Sequence, residues 1–178
     1  MTLTLRLAEL PDRCRTLARS HVANHVDAAS VMLDKFHNSP KTGSVDFGDE
    51  EQALELGWER PTPLVRATHE IELHATEDGA YAVAIGVAIS CGYLIRRRAH
   101  HGSGSDYLLT REGGSANELI KLEVSGVARP RDRGRLRARV KQKLAQLARG
   151  DLRGPGVAVV VGFESARVLM RNTEEGAP

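Results

Sequence analysis

The spacing of apolar residues along the second half of the chain predicts helices that alternate with strands. Residues 76–91 are rich in Ala, Val and Ile, and two acids follow a capping Thr76, which is typical of a buried helix. Gly92 ends this helix. Apolar residues then cluster or alternate in three short segments divided by glycine-containing turns, which predicts strands over 93–98, 106–110 and 119–124.

A second helix is predicted between residues 132 and 148. Pro130 and Asp132 favour its start, and Gly150 favours its end. Its apolar residues lie three and four apart on one face: Leu136, Val140, Leu144 and Leu147. Two further apolar runs, 157–161 and 166–170, predict strands. The order is helix, three strands, helix and strand, an α/β pattern.

The first 63 residues have a different organisation. Apolar residues recur every three to five positions over 12–36, which predicts a long helix after Pro11. Turn-forming residues dominate 38–63, so this stretch reads as a connection with at most short elements. We therefore expect an N-terminal helical extension with its connection over 1–63 and an α/β core over 64–178.

The composition is that of an ordinary globular protein, with 178 residues, 41% hydrophobic and 27% charged. The two cysteines, Cys14 and Cys91, match no metal-ligand spacing, and a reducing cytoplasm is the simplest location for such a chain. The uncharged run 80–95 is shorter than the ~20 residues needed to cross a bilayer, so we expect a buried helix and strand and no membrane segment.

Positive charge is concentrated around the second helix. Residues 129–153 contain ten Arg or Lys residues and two Asp, whereas the rest of the chain contains 15 basic and 21 acidic residues. Such a density favours a polyanion such as nucleic acid as partner. A solvated helix face is the structural alternative.

Two acids stand out by position. Asp106 begins one predicted strand, and Glu123 lies near the end of the next, on the face opposite Ile120, Leu122 and Val124. If these strands are neighbours, the two carboxylates converge. Two carboxylates and water can hold Mg²⁺, which prefers oxygen ligands and can activate water at a phosphodiester.

Three segments together resemble the PD-(D/E)XK, or restriction-endonuclease-like, nuclease superfamily: GSGSD (102–106), LIKLEVSG (119–126) and RVKQKLAQ (139–146). Members share a core of helix, three strands, helix and strand, and the resemblance covers about residues 68–170. It implies that Asp106 and Glu123 are ligands of Mg²⁺ (or Mn²⁺) in a nuclease that hydrolyses DNA phosphodiester bonds.

The resemblance has one departure. Ser125 stands where the superfamily's motif has a lysine. Some branches supply this lysine from the following helix, which here implies Lys143 or Lys141. At 100° per residue, Lys143 lies beside the apolar stripe and is the better candidate; Lys121, on the strand face of Glu123, is a third.

The resemblance implies supporting residues as well. Glu77, at the start of the first core helix, is a candidate metal ligand, as in branches with a helical glutamate, although acids are common in a first helical turn for electrostatic reasons alone. For nucleic-acid binding the candidates lie on the basic helix: Arg135, Arg139, Lys143 and Gln146.

The histidines give weaker signals. His100 and His101 precede Asp106 closely enough to contact a substrate phosphate. His21 and His25 are spaced i, i+4 in HVANH, but the glutamate of an HExxH zinc site is missing, so we do not expect a metal there.

Two alternatives from other functional classes remain open. The loss of the motif lysine is compatible with a catalytically inactive nuclease-fold interaction module, whose helix over 12–36 packs on a protein partner or on a second copy as a homodimer. Plain nucleic-acid binding through the basic helix is the other alternative.

Overall fold

The computed structural model describes residues 2–130 and 132–173, and within them the chain forms one mixed α/β structure. The strands are β1 Thr2–Arg6, β2 Lys41–Asp46, β3 Glu51–Gly57, β4 Tyr93–Arg98, β5 Tyr107–Arg111, β6 Ile120–Val127, β7 Gly156–Gly162 and β8 Arg167–Asn172. The α-helices are α1 Leu10–Arg13, α2 Arg19–Phe36, α3 Pro63–Thr68, α4 Glu72–Ser90 and α5 Arg133–Arg149. Arg131 of the basic segment and residues 174–178 of the predicted core lie outside the described residues.

All eight strands belong to one mixed sheet in the order β1-β3-β2-β8-β7-β6-β5-β4. Strands β4, β5 and β6 form an antiparallel meander, and β6 pairs in parallel with β7. A parallel pair needs a crossover, and α5 provides it. This half of the sheet therefore contains helix α4, three strands, helix α5 and strand β7 in chain order, as the apolar pattern predicts.

Helices cover this sheet on two faces. Leu122, Val124 and Val159 share a core with α2 and α4, whereas Ala158 and Val160 pack with the apolar stripe of α5. Because side chains alternate along a strand, the two sets mark opposite faces. The site residue Glu123 therefore lies on the α5 face.

The uncharged run 80–95 is explained by burial in this layered structure. Most of α4 is inaccessible to solvent, and Gly79 lies so close to α2 that an added Cβ would be 2.9 Å from the backbone of Ala29. Small residues thus allow two helices to approach at the core. Of the helices in the described residues, none has both the length and the apolar character required to cross a bilayer.

The structure corrects the expected N-terminal half. The single helix expected over 12–36 is interrupted, because α1 ends at Arg13 and α2 begins at Arg19. The extension is not purely helical either, since β1, β2 and β3 join the same sheet as the core strands. The apolar face of α2, which suggested a dimer or partner contact, packs against α4 within the chain.

Two helix starts can be compared directly with the sequence prediction. The α4 helix begins at Glu72, so Thr76 is not its cap; the Thr76 hydroxyl instead donates to the Glu72 carbonyl at 2.6 Å. The predicted start of α5 is confirmed, because the Asp132 side chain caps this helix by accepting from the amide of Arg135 at 2.9 Å.

Candidate active site

Asp106 and Glu123 lie close together at the edge where β5 begins. Tyr107 pairs with Leu122 across the antiparallel β5–β6 ladder, and the amide of Asp106 donates to the Leu122 carbonyl at 2.8 Å. The Asp106 carboxylate also accepts from the amide of Val124, the residue after Glu123, and both acids line the same cleft. Neighbouring strands therefore bring the two acids close together, as the sequence predicts, while their roles as metal ligands stay a prediction.

The Glu123 carboxylate is buried, and one of its two oxygens has a hydrogen-bond partner in the described residues while the other has none. Its residue is 2% exposed, and its Oε1 accepts from Nζ of Lys143 at 2.6 Å. Its other oxygen, Oε2, is buried without a hydrogen-bond partner in the described residues. Burial and the charge of Asp106 raise the pKa of Glu123 to about 7, although Lys143 acts in the opposite direction. A buried acid with a displaced pKa and an orphaned oxygen marks a site for chemistry or cation binding.

Two donors orient the Asp106 carboxylate. The hydroxyl of Tyr81, from α4, donates to Oδ1 at 2.9 Å, and the amide of Val124 donates to Oδ2 at 2.8 Å. Burial and the nearby Asp106 charge raise the pKa of Tyr81 well above its usual value, so its hydroxyl keeps its proton. Sequence reasoning missed Tyr81, because no spacing rule connects an aromatic residue of the first core helix to a strand 25 residues later.

The lysine that reaches Glu123 is Lys143. Its Nζ bridges Glu123 and Oε1 of Gln146, the latter at 3.2 Å, which is the position that helical geometry favours for it. Lys141 is exposed and lines a different groove, beside Phe47 and Asp49, so the structure places it away from the two acids.

Lys121 shares a strand face with Glu123, but its ammonium is engaged elsewhere. It is 4% exposed, and its Nζ donates to the carbonyls of Leu147 and Leu152 at 2.7 and 2.8 Å. Burial lowers the pKa of Lys121. It therefore satisfies the carbonyl end of α5, a structural task.

Glu77 does not join the two carboxylates. Because α4 begins at Glu72, Glu77 lies in its second turn, is exposed and does not line the cleft that contains Asp106 and Glu123. In the part of the chain that the structure describes, no three His, Cys, Asp or Glu side chains are grouped so that they could hold a metal ion. The structure therefore places Glu77 apart from the two acids, and its role as a metal ligand stays a prediction.

The two acids open into a cleft of about 570 Å³. Its rim includes Arg98, His100, His101, Gln146 and Arg149 together with the glycine-serine turn before Asp106. The cations and potential donors around two acids suit a substrate that carries negative charge and binds beside a cation.

Backbone conformation and close packing explain the glycines of the turn before Asp106. Gly104 has a positive φ of 71°, and an added Cβ would lie 2.8 Å from the Cα of Gly150. A Cβ on Gly150 would in turn lie 2.0 Å from the carbonyl oxygen of Ser103. The turn and the end of α5 can pack this closely only because both positions are glycine.

The predicted nucleic-acid contacts follow one side of α5. Arg135 and Arg139 line a neighbouring groove, while Gln146 lines the cleft and hydrogen-bonds Lys143. Residues spaced three, four and seven apart share a helix face, so these side chains form one stripe that leads toward the two acids. We call Arg135, Arg139, Lys143, Gln146 and Arg149 the α5 stripe.

Comparisons of the chain with protein-family models, with curated proteins and with solved structures find no match.

Proposed function

We propose that this protein is a Mg²⁺-dependent nuclease that hydrolyses phosphodiester bonds in nucleic acid, with DNA as the expected substrate. One observation carries the proposal: Asp106 and Glu123 line the same cleft, and Lys143 reaches Glu123 at 2.6 Å. The element order of helix, three strands, helix and strand around this pair agrees with the resemblance to the PD-(D/E)XK superfamily.

The residues fit a magnesium ion. Glu123 Oε2 is a buried oxygen without a hydrogen-bond partner in the described chain. Tyr81 donates to one Asp106 oxygen and the Val124 amide to the other, which leaves lone pairs on both oxygens for a cation. Mg²⁺ usually takes one or two carboxylates and completes its shell with water and substrate phosphate. Two acids without a third side-chain ligand are therefore sufficient. When bound, the ion would polarise the phosphoryl group and make water more acidic.

The protein's own groups then have separate tasks. Tyr81 and the amide of Val124 fix the Asp106 carboxylate on the sheet, so its oxygens are aimed before substrate binds. Lys143, held by Glu123 and Gln146, presents an ammonium beside the acids and replaces the lysine absent at Ser125. It can orient the attacking water or hold the scissile phosphate. Further along the α5 stripe, Arg135 and Arg139 would neutralise flanking phosphates.

A cleavage assay with supercoiled plasmid, single-stranded DNA and RNA in Mg²⁺ or Mn²⁺ tests the proposal. We expect Asp106→Asn, Glu123→Gln and Lys143→Met each to lower the rate about 100-fold or more. Lys141→Met is the matched control, because it removes an exposed lysine two residues away that lines another groove. Its rate should stay within about twofold. Absence of cleavage by the wild type on all three substrates, or equal rates in wild type and Asp106→Asn, would overturn the proposal.

A second candidate function, nucleic-acid binding without cleavage, is favoured by one observation. Lys143 already forms an ion pair with Glu123, and Ser125 provides no second ammonium. The α5 stripe could therefore bind a phosphate backbone, and the acids would serve only to position Lys143. This function predicts affinity that falls steeply with salt in both the wild type and Asp106→Asn, together with no cleavage.

A further inference from the structure

A compact cluster of potential ligands joins the N-terminal helix to the strand that begins beside the proposed active site. His21 and His25, one turn apart on α2, both direct Nε2 at the hydroxyl of Tyr107, on β5. The three contacts close a triangle: His21 Nε2 to the Tyr107 oxygen is 3.0 Å, His25 Nε2 to that oxygen is 3.1 Å, and Nε2 to Nε2 is 3.3 Å. From this geometry we propose that His21, His25 and Tyr107 form a Zn²⁺ site.

The triangle has the size of three corners of a tetrahedral zinc site. Zn–N and Zn–O bonds of about 2.0–2.1 Å at a tetrahedral angle place neighbouring ligand atoms about 3.3 Å apart. The observed separations of 3.0 to 3.3 Å agree with that size, and two of the three atoms are imidazole nitrogens. The phenol supplies the third ligand, and water can take the fourth position.

Hydrogen bonding accounts for two of the three contacts. The Tyr107 hydroxyl can donate its proton to one Nε2 and accept from the other when that ring carries its proton on Nε2. The 3.3 Å contact between the two nitrogens then competes for the same proton. A cation between the three atoms would instead take one lone pair from each of them.

A carboxylate supports the second histidine from behind. Asp78 Oδ1 lies 3.6 Å from His25 Nδ1, the ring nitrogen that faces away from the triangle. His25 is 4% exposed, and its Nδ1 is buried without a hydrogen-bond partner in the described residues. A carboxylate beside the distal nitrogen of a ligating histidine is the usual outer partner in zinc sites, where it fixes the tautomer and orients the ring.

The charges around the cluster are compatible with a cation. Asp78 contributes a negative charge, and a Tyr107 phenolate would offset the nearby positive charge of Arg98. Because burial raises the pKa of the Tyr107 phenol, its proton would leave only on ligation.

Such an ion would have a structural task in this fold. It would tie α2 to β5 at the residue directly after Asp106, and the ring of Tyr107 packs edge-on against Tyr81 with centroids 5.6 Å apart. The proposed zinc site is separate from the proposed magnesium site and does not depend on nuclease activity.

Metal content measures the proposal directly. Untagged protein is stripped with chelator, dialysed against Zn²⁺ and analysed by mass spectrometry, and Co²⁺ replaces Zn²⁺ as the visible probe of tetrahedral ligation. We expect one Zn²⁺ per wild-type chain and tetrahedral Co²⁺ absorption. Both should fall to background in His21→Ala, while Tyr107→Phe keeps the ring and loses the charge-transfer band of a phenolate ligand.

Three further variants make the result specific. Asp78→Asn should weaken Zn²⁺ binding about 10- to 100-fold without abolishing it. His74→Ala removes an exposed histidine from α4, and Asp106→Asn removes an acid of the other site; both should bind Zn²⁺ like the wild type. Circular dichroism confirms that each variant is folded. The proposal is overturned if the folded wild type binds no more Zn²⁺ than His21→Ala, or if Asp106→Asn abolishes binding.

Discussion

Replacing Glu123 by Gln should change how the stability of this protein depends on pH. Burial and the charge of Asp106 raise the pKa of Glu123 from 4.5 to about 7. Below pH 4.5 Glu123 is protonated in both the folded and the unfolded state, and its contribution to the stability is fully present. As the pH rises toward 7, the unfolded state releases this proton while the folded state still holds it. Stability is therefore lost through this window. A tenfold change in proton affinity is worth about 1.4 kcal/mol, so the loss between pH 5 and 7 is about 2 kcal/mol.

His25 opposes this trend in the wild type. Burial lowers the pKa of His25 from 6.5 to about 4, so the folded state keeps the ring neutral while the unfolded state takes up a proton. Its contribution is present above pH 6.5 and is lost as the pH falls toward 4. Between pH 5 and 7 this amounts to about 2 kcal/mol of opposite sign, so the two groups nearly cancel. Glu123→Gln removes the Glu123 contribution, so the pH dependence caused by His25 becomes measurable.

The assay is reversible urea denaturation at pH 5 and pH 7 with chelator present. We expect Glu123→Gln to gain about 2 kcal/mol more than the wild type at pH 7 over pH 5, because His21, whose pKa burial also lowers, contributes equally to both proteins. With a urea dependence of about 2 kcal/mol per molar, the midpoint should rise by about 1 M. Glu77→Gln, which removes an exposed acid from α4, should follow the wild type. Parallel pH profiles for wild type and Glu123→Gln would refute the reasoning.

Two further variants test how the site is held. Tyr81→Phe removes the hydroxyl that donates to Asp106 and should slow cleavage about tenfold, while the free energy of unfolding falls by only about 1 kcal/mol; rate and urea midpoint are measured on the same preparation. In Gly126→Ala the added Cβ would lie 2.2 Å from the carbonyl oxygen of Thr76, which should destabilise the fold by about 1–3 kcal/mol in urea. Gly57→Ala is its control, because nothing lies within 4 Å of that position.

The pairing of the two acids could be predicted because it depends on local rules. Strand alternation places Glu123 opposite the apolar face, and consecutive strands joined by short turns pair in antiparallel fashion. The choice of Lys143 over Lys141 is equally local, since both lie on one helix and differ only in angle. In each case the relevant distance is set by one or two regular elements.

Two of the three N-terminal strands carry a weak apolar signal, whereas β3 does alternate, with Leu54 and Leu56 buried on one face. In β1 only Leu5 is buried, and β2 contributes Val45 as its only buried apolar residue. These strands are specified mainly by backbone pairing with neighbours that are distant in sequence. A local apolar pattern gives no information about such pairing, so sequence analysis interprets residues 38–63 as a connection.

The histidine cluster was missed for a related reason. The pattern HVANH places two imidazoles on one helix face, but the oxygen that completes the triangle belongs to Tyr107, 82 residues after His25. Sequence spacing gives evidence about ligands on one element, and it says little about a ligand on a separate strand. The missing glutamate of a catalytic zinc motif is therefore a poor argument against a structural ion.

Sequence spacing alone also makes Lys121 a catalytic alternative, because spacing does not show contacts between separate elements. The contacts that Lys121 makes in the structure explain the geometry of the site. Lys121 and Glu123 are two residues apart on one strand face, about 6.7 Å along β6. Their partners Lys143 and Leu147 are four residues apart on α5, about 6.0 Å along the helix. The two spacings nearly match, and the crossover helix runs antiparallel to the strand, so both contacts form together. The Leu147 carbonyl held by Lys121 therefore fixes the register in which Lys143 stands over Glu123. A helix locked in this way can supply an ammonium that the strand does not provide at Ser125.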